Sequence, residues 1–179
     1  MESIIILDHE KPVDFVDSDP TTPLDQQILM TGLREMADLI NRTAWTDEQR
    51  DAFNGMLKIV FFEGSVQVGP HTLERPGCDE ANATFYWEVV EFMANTDPCV
   101  RGNTFFHDCW HVVQFKADGF ARLDDERVQR EGDAIKHQIV VAQALGCRQE
   151  DVDFLRRFEG DQAIILARLR EGVDTMLHA

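Results

Sequence analysis

The sequence predicts an α+β domain: a small, mostly antiparallel sheet packed on helices, with further helices towards both ends of the chain. Three observations predict it. β-branched and aromatic residues gather in short runs between 57 and 92, bounded by glycine and proline. Apolar residues recur at three- and four-residue steps over 24–41. A long proline-free stretch over 124–145 ends at Gly146, as a helix would. The 179 residues hold no repeat and no low-complexity segment, so one domain with a sizeable core is expected.

Taken in order, residues 3–7 are apolar and β-branched and 12–16 alternate, so both read as strands. Residues 18–23 form a stiff, turn-rich connection. The 24–41 helix buries Leu29, Leu33, Met36 and Ile40. Thr46 and Gln49 have capping-box spacing and open a short helix that Gly55 ends. Residues 57–62 make a strand broken by Gly64, and 65–68 alternate before Gly69 and Pro70. Residues 71–83 read as a polar loop, and 84–92 as a strand for at least their first half. A turn over 95–102 leads into a helix carrying His107 and His111, and the 124–145 helix follows. One or two helices fill 149–172, packing through Phe154, Leu155, Phe158, Ile164, Ile165, Leu166 and Leu169.

Composition narrows the function. Hydrophobic content of 44% and charged content of 28% are ordinary, but the net charge of -16 is not. Such an acidic surface repels phosphate backbones and anionic lipid, which argues against nucleic-acid and membrane partners. No apolar run approaches the roughly 18 residues of a spanning helix, and the first eight residues lack the basic start of a secretory signal. Cys78, Cys99, Cys109 and Cys147 form no close pair, so they read as reduced thiols of a cytoplasmic protein. A Cys78–Cys99 disulfide is the alternative.

Chemistry concentrates in 103–114. Wound at about 100° per residue, this stretch gathers His107, Trp110, His111 and Gln114 on one side. Phe105, Phe106, Cys109, Val112 and Val113 gather on the other. Histidines at i and i+4 are neighbours on a helix, so both rings can converge on one ion. A third ligand is sought on the 124–145 helix. With Ile135 at the centre of its buried face, Val128, Glu131, Gly132, Gln138, Ile139 and Ala142 fall within about 60°. Glu131 is the one carboxylate aimed inward, and burying it unpaired is costly. A metal held by two histidines would neutralise it; an ion pair with arginine or a boundary position is the alternative. Asp133 and His137 project to the opposite side and read as a surface pair.

His107-Asp-Cys-Trp-His111-Val-Val-Gln resembles the zinc helix His-Glu-x-x-His-Val-x-Gln of the zincin metallopeptidases. Arg130-Glu131-Gly132-Asp133-Ala134 resembles the second-helix signature of their gluzincin branch. The order of three strands, His helix and Glu helix is also that of the minimal zincin fold. The resemblance spans about residues 57–145. It implies zinc on His107, His111 and Glu131, with Gln114 orienting one imidazole and Asp108 taking the proton from an attacking water. It further implies a peptide or protein substrate lying along an edge strand, for which 84–89 is the candidate.

Two departures stand out. Active members have Glu where this chain has Asp108; one methylene fewer leaves the carboxylate roughly 1.5 Å short. A displacement of about 1 Å can cost on the order of a hundredfold in rate. The family ligand also often lies four residues before the Asp, which here is Gln129, but Gln129 falls about 120° from the buried centre. Four readings follow: a zinc hydrolase of the peptidase type, a degenerate zincin acting as a binding or structural module, a phosphohydrolase using His107 and Asp108 as adjacent ligands, and a domain without metal.

Overall fold

The structure is a computed structural model that describes residues 2–17, 25–121, 124–159 and 161. Mixed α and β architecture is borne out, with seven strands and six helices among the described residues. The 18–23 connection and the packing residues Ile164, Ile165, Leu166 and Leu169 lie outside the described residues.

Strands β1 (Glu2–Ile6) and β2 (His9–Val16) form a hairpin. Its two loop residues, Leu7 and Asp8, both take positive φ, 49° and 69°, as a two-residue type I′ turn requires. Helix α1 (Gln26–Arg42) buries Leu29, Leu33, Met36 and Ile40, the stripe read from the sequence. Asn41 ties it to the hairpin, accepting from the Leu7 N–H at 2.7 Å and donating to the Ile5 carbonyl at 2.8 Å. Helix α2 (Asp47–Gly55) carries the expected capping box: Thr46 and Gln49 each accept from the other's backbone N–H.

Strand β3 (Lys58–Phe62) follows, then the small hairpin of β4 (Val66–Val68) and β5 (His71–Leu73). Strands β6 (Gly77–Asp79) and β7 (Thr84–Glu88) and the short helix α3 (Val89–Ala94) complete this half. The segment expected as a polar loop, 71–83, thus contains two short strands. Helices α4 (Pro98–Asp118), α5 (Asp124–Leu145) and α6 (Gln149–Arg156) finish the described chain. The turn expected over 95–102 is shorter, because Asp97 caps α4 and Pro98 occupies its first turn.

The main sheet runs β1-β2-β3-β7-β6. Its outer pairs are antiparallel, but β2–β3 and β3–β7 are parallel, which corrects the mostly antiparallel expectation. Helices α1 and α2 carry the chain back between β2 and β3, and β3 has the matching burial: Ile59, Val60, Phe61 and Phe62 are all buried, the continuous apolar run of a strand covered on both faces. Strand β7 is interior too, so the expected edge strand is corrected to β6.

Helix α4 links the layers. Phe105 packs edge-on to Phe85 of β7 at 5.6 Å, and Phe106 meets Phe53 of α2 at 5.1 Å. A Cβ on Gly102 would come within 3.3 Å of Leu145 and 3.6 Å of Ile40, so glycine there lets α1, α4 and α5 approach.

Helices α4 and α5 lie antiparallel. Their partners run Cys99–Cys147, His107–Gln138, Trp110–Asp133 and Gln114–Arg130. The first of these is a disulfide with Cα atoms 5.4 Å apart, which corrects the expectation of four reduced thiols and the Cys78–Cys99 alternative. Cys78 and Cys109 are free. The cytoplasmic location was read from reduced thiols and loses that basis; no described helix is long and apolar enough to cross a membrane.

The bridge spans a sequence separation of 48. Chain-entropy reasoning assigns such a loop about 4 kcal/mol. Urea unfolding of the Cys99→Ser, Cys147→Ser double variant should show a loss of that order. A variant as stable as the wild type would mean that the bridge constrains nothing.

Candidate metal centre

Helix α4 sets the two imidazoles. Its apolar side, with Phe105, Phe106, Cys109 and Val112 buried, is pressed into the core. The opposite side, with His107, Trp110, His111 and Gln114, faces α5. Helix α5 opens on Asp124, Asp125 and Glu126, acids that favour a helix N-terminus. It buries Val128, Ala134, Ile135, Gln138, Ile139 and Ala142. That places Glu131 on the side facing α4, as the helical wheel predicts.

Three ligand atoms converge. The Nε2 atoms of His107 and His111 lie 3.1 Å apart. Glu131 brings Oε1 to 3.3 Å from His107 Nε2 and Oε2 to 3.2 Å from His111 Nε2. Among the described residues this is the group that could hold a metal ion. The spacing fits: a tetrahedral ion with bonds of about 2.0 Å has ligand atoms about 3.3 Å apart. Gln129 takes no part in it; it lines a shallow groove together with Gln114 and Arg130.

The surroundings fix both rings. Gln114 donates through Nε2 to the Arg130 carbonyl and to Asp133 Oδ2, each at 2.9 Å. Its Oε1 must therefore be the atom facing His111 Nδ1, at 2.9 Å, so that Nδ1 carries hydrogen. Gln138 acts likewise on His107: Oε1 lies 3.1 Å from Nδ1, while its amide nitrogen points at the Asn103 carbonyl at 3.5 Å. Both Nε2 atoms are thereby turned towards one point, opposite a carboxylate, and the proton His111 holds there is the one an ion would replace. Such a cluster demands a positive species between its members.

The electrostatics agree. Burial opposes charge on His111, but the hydrogen bond and charge of Glu131 outweigh it and push the imidazole pKa up to about 9. Burial also opposes charge on Glu131, yet His107 and His111 hold its carboxyl far below the usual range. An arriving ion must displace that proton, so ion affinity falls with falling pH.

Asp133 is more than the surface residue expected. It accepts from Trp110 Nε1 at 2.7 Å as well as from Gln114, and His137 lies 3.7 Å away. His137 in turn stacks on Trp110, with centroids 3.6 Å apart. Burial raises the Asp133 carboxyl, but the Trp110 and Gln114 hydrogen bonds and the His137 charge hold it below the usual range. Sequence reasoning found Gln114 but missed Gln138 and Asp133 as supports. Gln138 was legible as an amide on the same buried face as Glu131; the turn of Asp133 towards α4 was not.

Asp108 does not join the ligand group. The Cys78 thiol of β6 favours its charged form, and Asp108 in turn raises the Cys78 thiol. Burial pushes its carboxyl up, against the pull of His107 and His111. A phosphohydrolase built on His107 and Asp108 as adjacent ligands therefore finds no support in the geometry. Glu80, in the turn after β6, is a third carboxylate near the centre; its burial raises it, with His111 and Arg130 opposing. His71 lies exposed on β5, apart from the group.

Supports of this kind are worth about 10- to 100-fold in metal affinity. Gln114→Leu and Gln138→Leu should each weaken ion binding by that factor in a chelator-competition titration, while circular dichroism stays unchanged. Unaltered affinity in both would mean that the amides do not set the tautomers. No family model matches the chain, and no curated protein or solved structure matches it.

Proposed function

We propose that the chain is a zinc-dependent hydrolase of the zincin type, acting on peptide bonds. One observation carries the reading: two imidazoles whose Nδ1 atoms face the amide oxygens of Gln114 and Gln138 turn their Nε2 atoms towards the Glu131 carboxylate. Two nitrogens and one carboxylate oxygen are a donor set suited to zinc, and three protein ligands are the number that catalytic rather than structural zinc sites use. Zinc held there would polarise a substrate carbonyl and lower the pKa of a water.

The chain's own groups then have distinct tasks. His107, His111 and Glu131 hold the ion. Gln114, anchored by Asp133, and Gln138 keep the rings in one tautomer and one orientation. The ligand side chains are 15–17% exposed, so the centre is open to a substrate yet largely stripped of water. Strand β6 pairs on one side with β7 and contacts α4. Its other edge leaves backbone groups for an extended peptide beside the centre.

One observation favours the second reading, a zincin-like module that binds without catalysis. Asp108 is a methylene shorter than the usual base and is engaged by Cys78.

Elemental analysis of the full chain should find about one zinc, and His107→Ala and Glu131→Gln should each lose it. A broad peptide panel then separates the readings: cleavage abolished by His107→Ala supports the hydrolase. Absence of cleavage in both wild type and Asp108→Glu supports the binding module. A wild type that takes up no transition metal on reconstitution overturns both.

A further inference from the structure

Where α4 ends and α5 begins, a shallow groove of about 550 Å³ lies beside the proposed centre, within the roughly 300–1,000 Å³ of small-ligand sites. Gln114 and Asp118 of α4 line one side, with Phe120 just beyond the helix; Glu126, Arg130 and Asp133 of α5 line the other. Measured contacts tie this groove to the ligands. The Gln114 amide in its wall faces His111 Nδ1 at 2.9 Å with one end and donates to Asp133 Oδ2 at 2.9 Å with the other. From His111 to Gln114 the helix rises by about 4.5 Å. An extended peptide advances about 3.3 Å per residue. A substrate running past the ion towards the end of α4 thus reaches the groove one or two residues from its scissile bond.

The walls specify a chemistry. Phe120 is 62% exposed, yet Phe115 holds it, with ring centroids 4.7 Å apart. Gly119 before it turns the chain at a φ of 72°, and its carbonyl accepts from the Arg130 guanidinium at 2.5 Å. A large uncovered ring is therefore presented in a groove whose ionic side chains are three carboxylates and that one tethered guanidinium. An aromatic ring in an excess of negative charge is complementary to a cation carried on an alkyl stem. We propose that this groove is the specificity subsite of the centre, taking a lysine or arginine side chain one or two residues from the bond cleaved. The proposal rests on the metal-hydrolase reading for its reaction, while recognition belongs to the groove. Phe120 receives the stem and its cationic head, and Asp118 and Glu126 set the field that favours them. Asp133, which already accepts from Trp110 and Gln114, contributes charge alone.

The test uses the full chain and two probes of nearly equal shape, Nα-acetyl-arginine methylamide and its uncharged citrulline counterpart, followed through backbone amide NMR signals. The arginine probe should shift the signals of Phe120 and of Gln129, which also lines the groove. It should bind about tenfold more tightly than the citrulline probe. Phe120→Ala and the Asp118→Asn, Glu126→Gln pair should each weaken it roughly threefold or more, with circular dichroism unchanged. In peptides that the wild type cleaves, arginine in place of citrulline one or two residues from the cleaved bond should raise kcat/KM by about tenfold. Asp118→Lys should abolish that preference. Equal binding of the two probes, shifts confined to other parts of the chain, or equal cleavage of the two peptides overturns the subsite while leaving the metal hydrolase standing. Arginine-selective binding at Phe120 with no peptide cleaved overturns the hydrolase reading and leaves the groove as the recognition site of a binding module.

Discussion

Two imidazole nitrogens 3.1 Å apart, each within 3.3 Å of a different oxygen of one carboxylate, are the constraint around which the rest of the molecule makes sense. Two imidazole nitrogens and a carboxylate repel unless a positive charge lies between them, and in this protein they are not free to turn away. Each ring is held from behind by an amide oxygen, and each amide is held by its other end. Gln114 is fixed by Arg130 and Asp133, and Gln138 by Asn103. Desolvation strengthens every one of these interactions, because few water dipoles remain to screen them.

That arrangement requires two helices in a fixed antiparallel register. A slip of one residue turns a side chain by about 100° and would take Glu131 out of the cluster. Several contacts along the α4–α5 seam resist such a slip. The Cys99–Cys147 bridge closes one end, and the Trp110–Asp133 and Gln114–Arg130 hydrogen bonds hold the other. Between them, Gly102 admits Leu145 and Ile40 at close range. Behind α4, Phe105 and Phe106 key the helix into the sheet and α2.

How much of this was legible in the sequence depended on the range of the interaction concerned. Periodic signals were readable: the α1 stripe, the Thr46–Gln49 box, and the two-sided character of α4 are local properties of the chain. The same holds for Glu131, whose placement follows from its angle relative to Ile135 and Ile139. Partnerships across elements were not readable. Strand direction is decided by how α1 and α2 return the chain from β2 to β3, so short β-rich runs alone did not reveal the parallel centre. The Cys99–Cys147 bridge escaped for a related reason. Its cysteines stand one at the start of α4 and the other just past the end of α5, and only the antiparallel packing of those helices brings them together.

Position 108 shows how a departure from a familiar pattern can be read physically. An aspartate there has a shorter reach than a glutamate and stays outside the converging group. Neighbouring carboxylates disfavour one another's charge: Glu131 adds to the upward push that burial exerts on Asp108, and Asp108 adds to that on Glu80. The Cys78 thiol and the two histidines favour the charged form of Asp108, but burial outweighs them and leaves its carboxyl raised. The shorter arm and the desolvated setting together explain why this position differs in behaviour from a glutamate exposed at the same place.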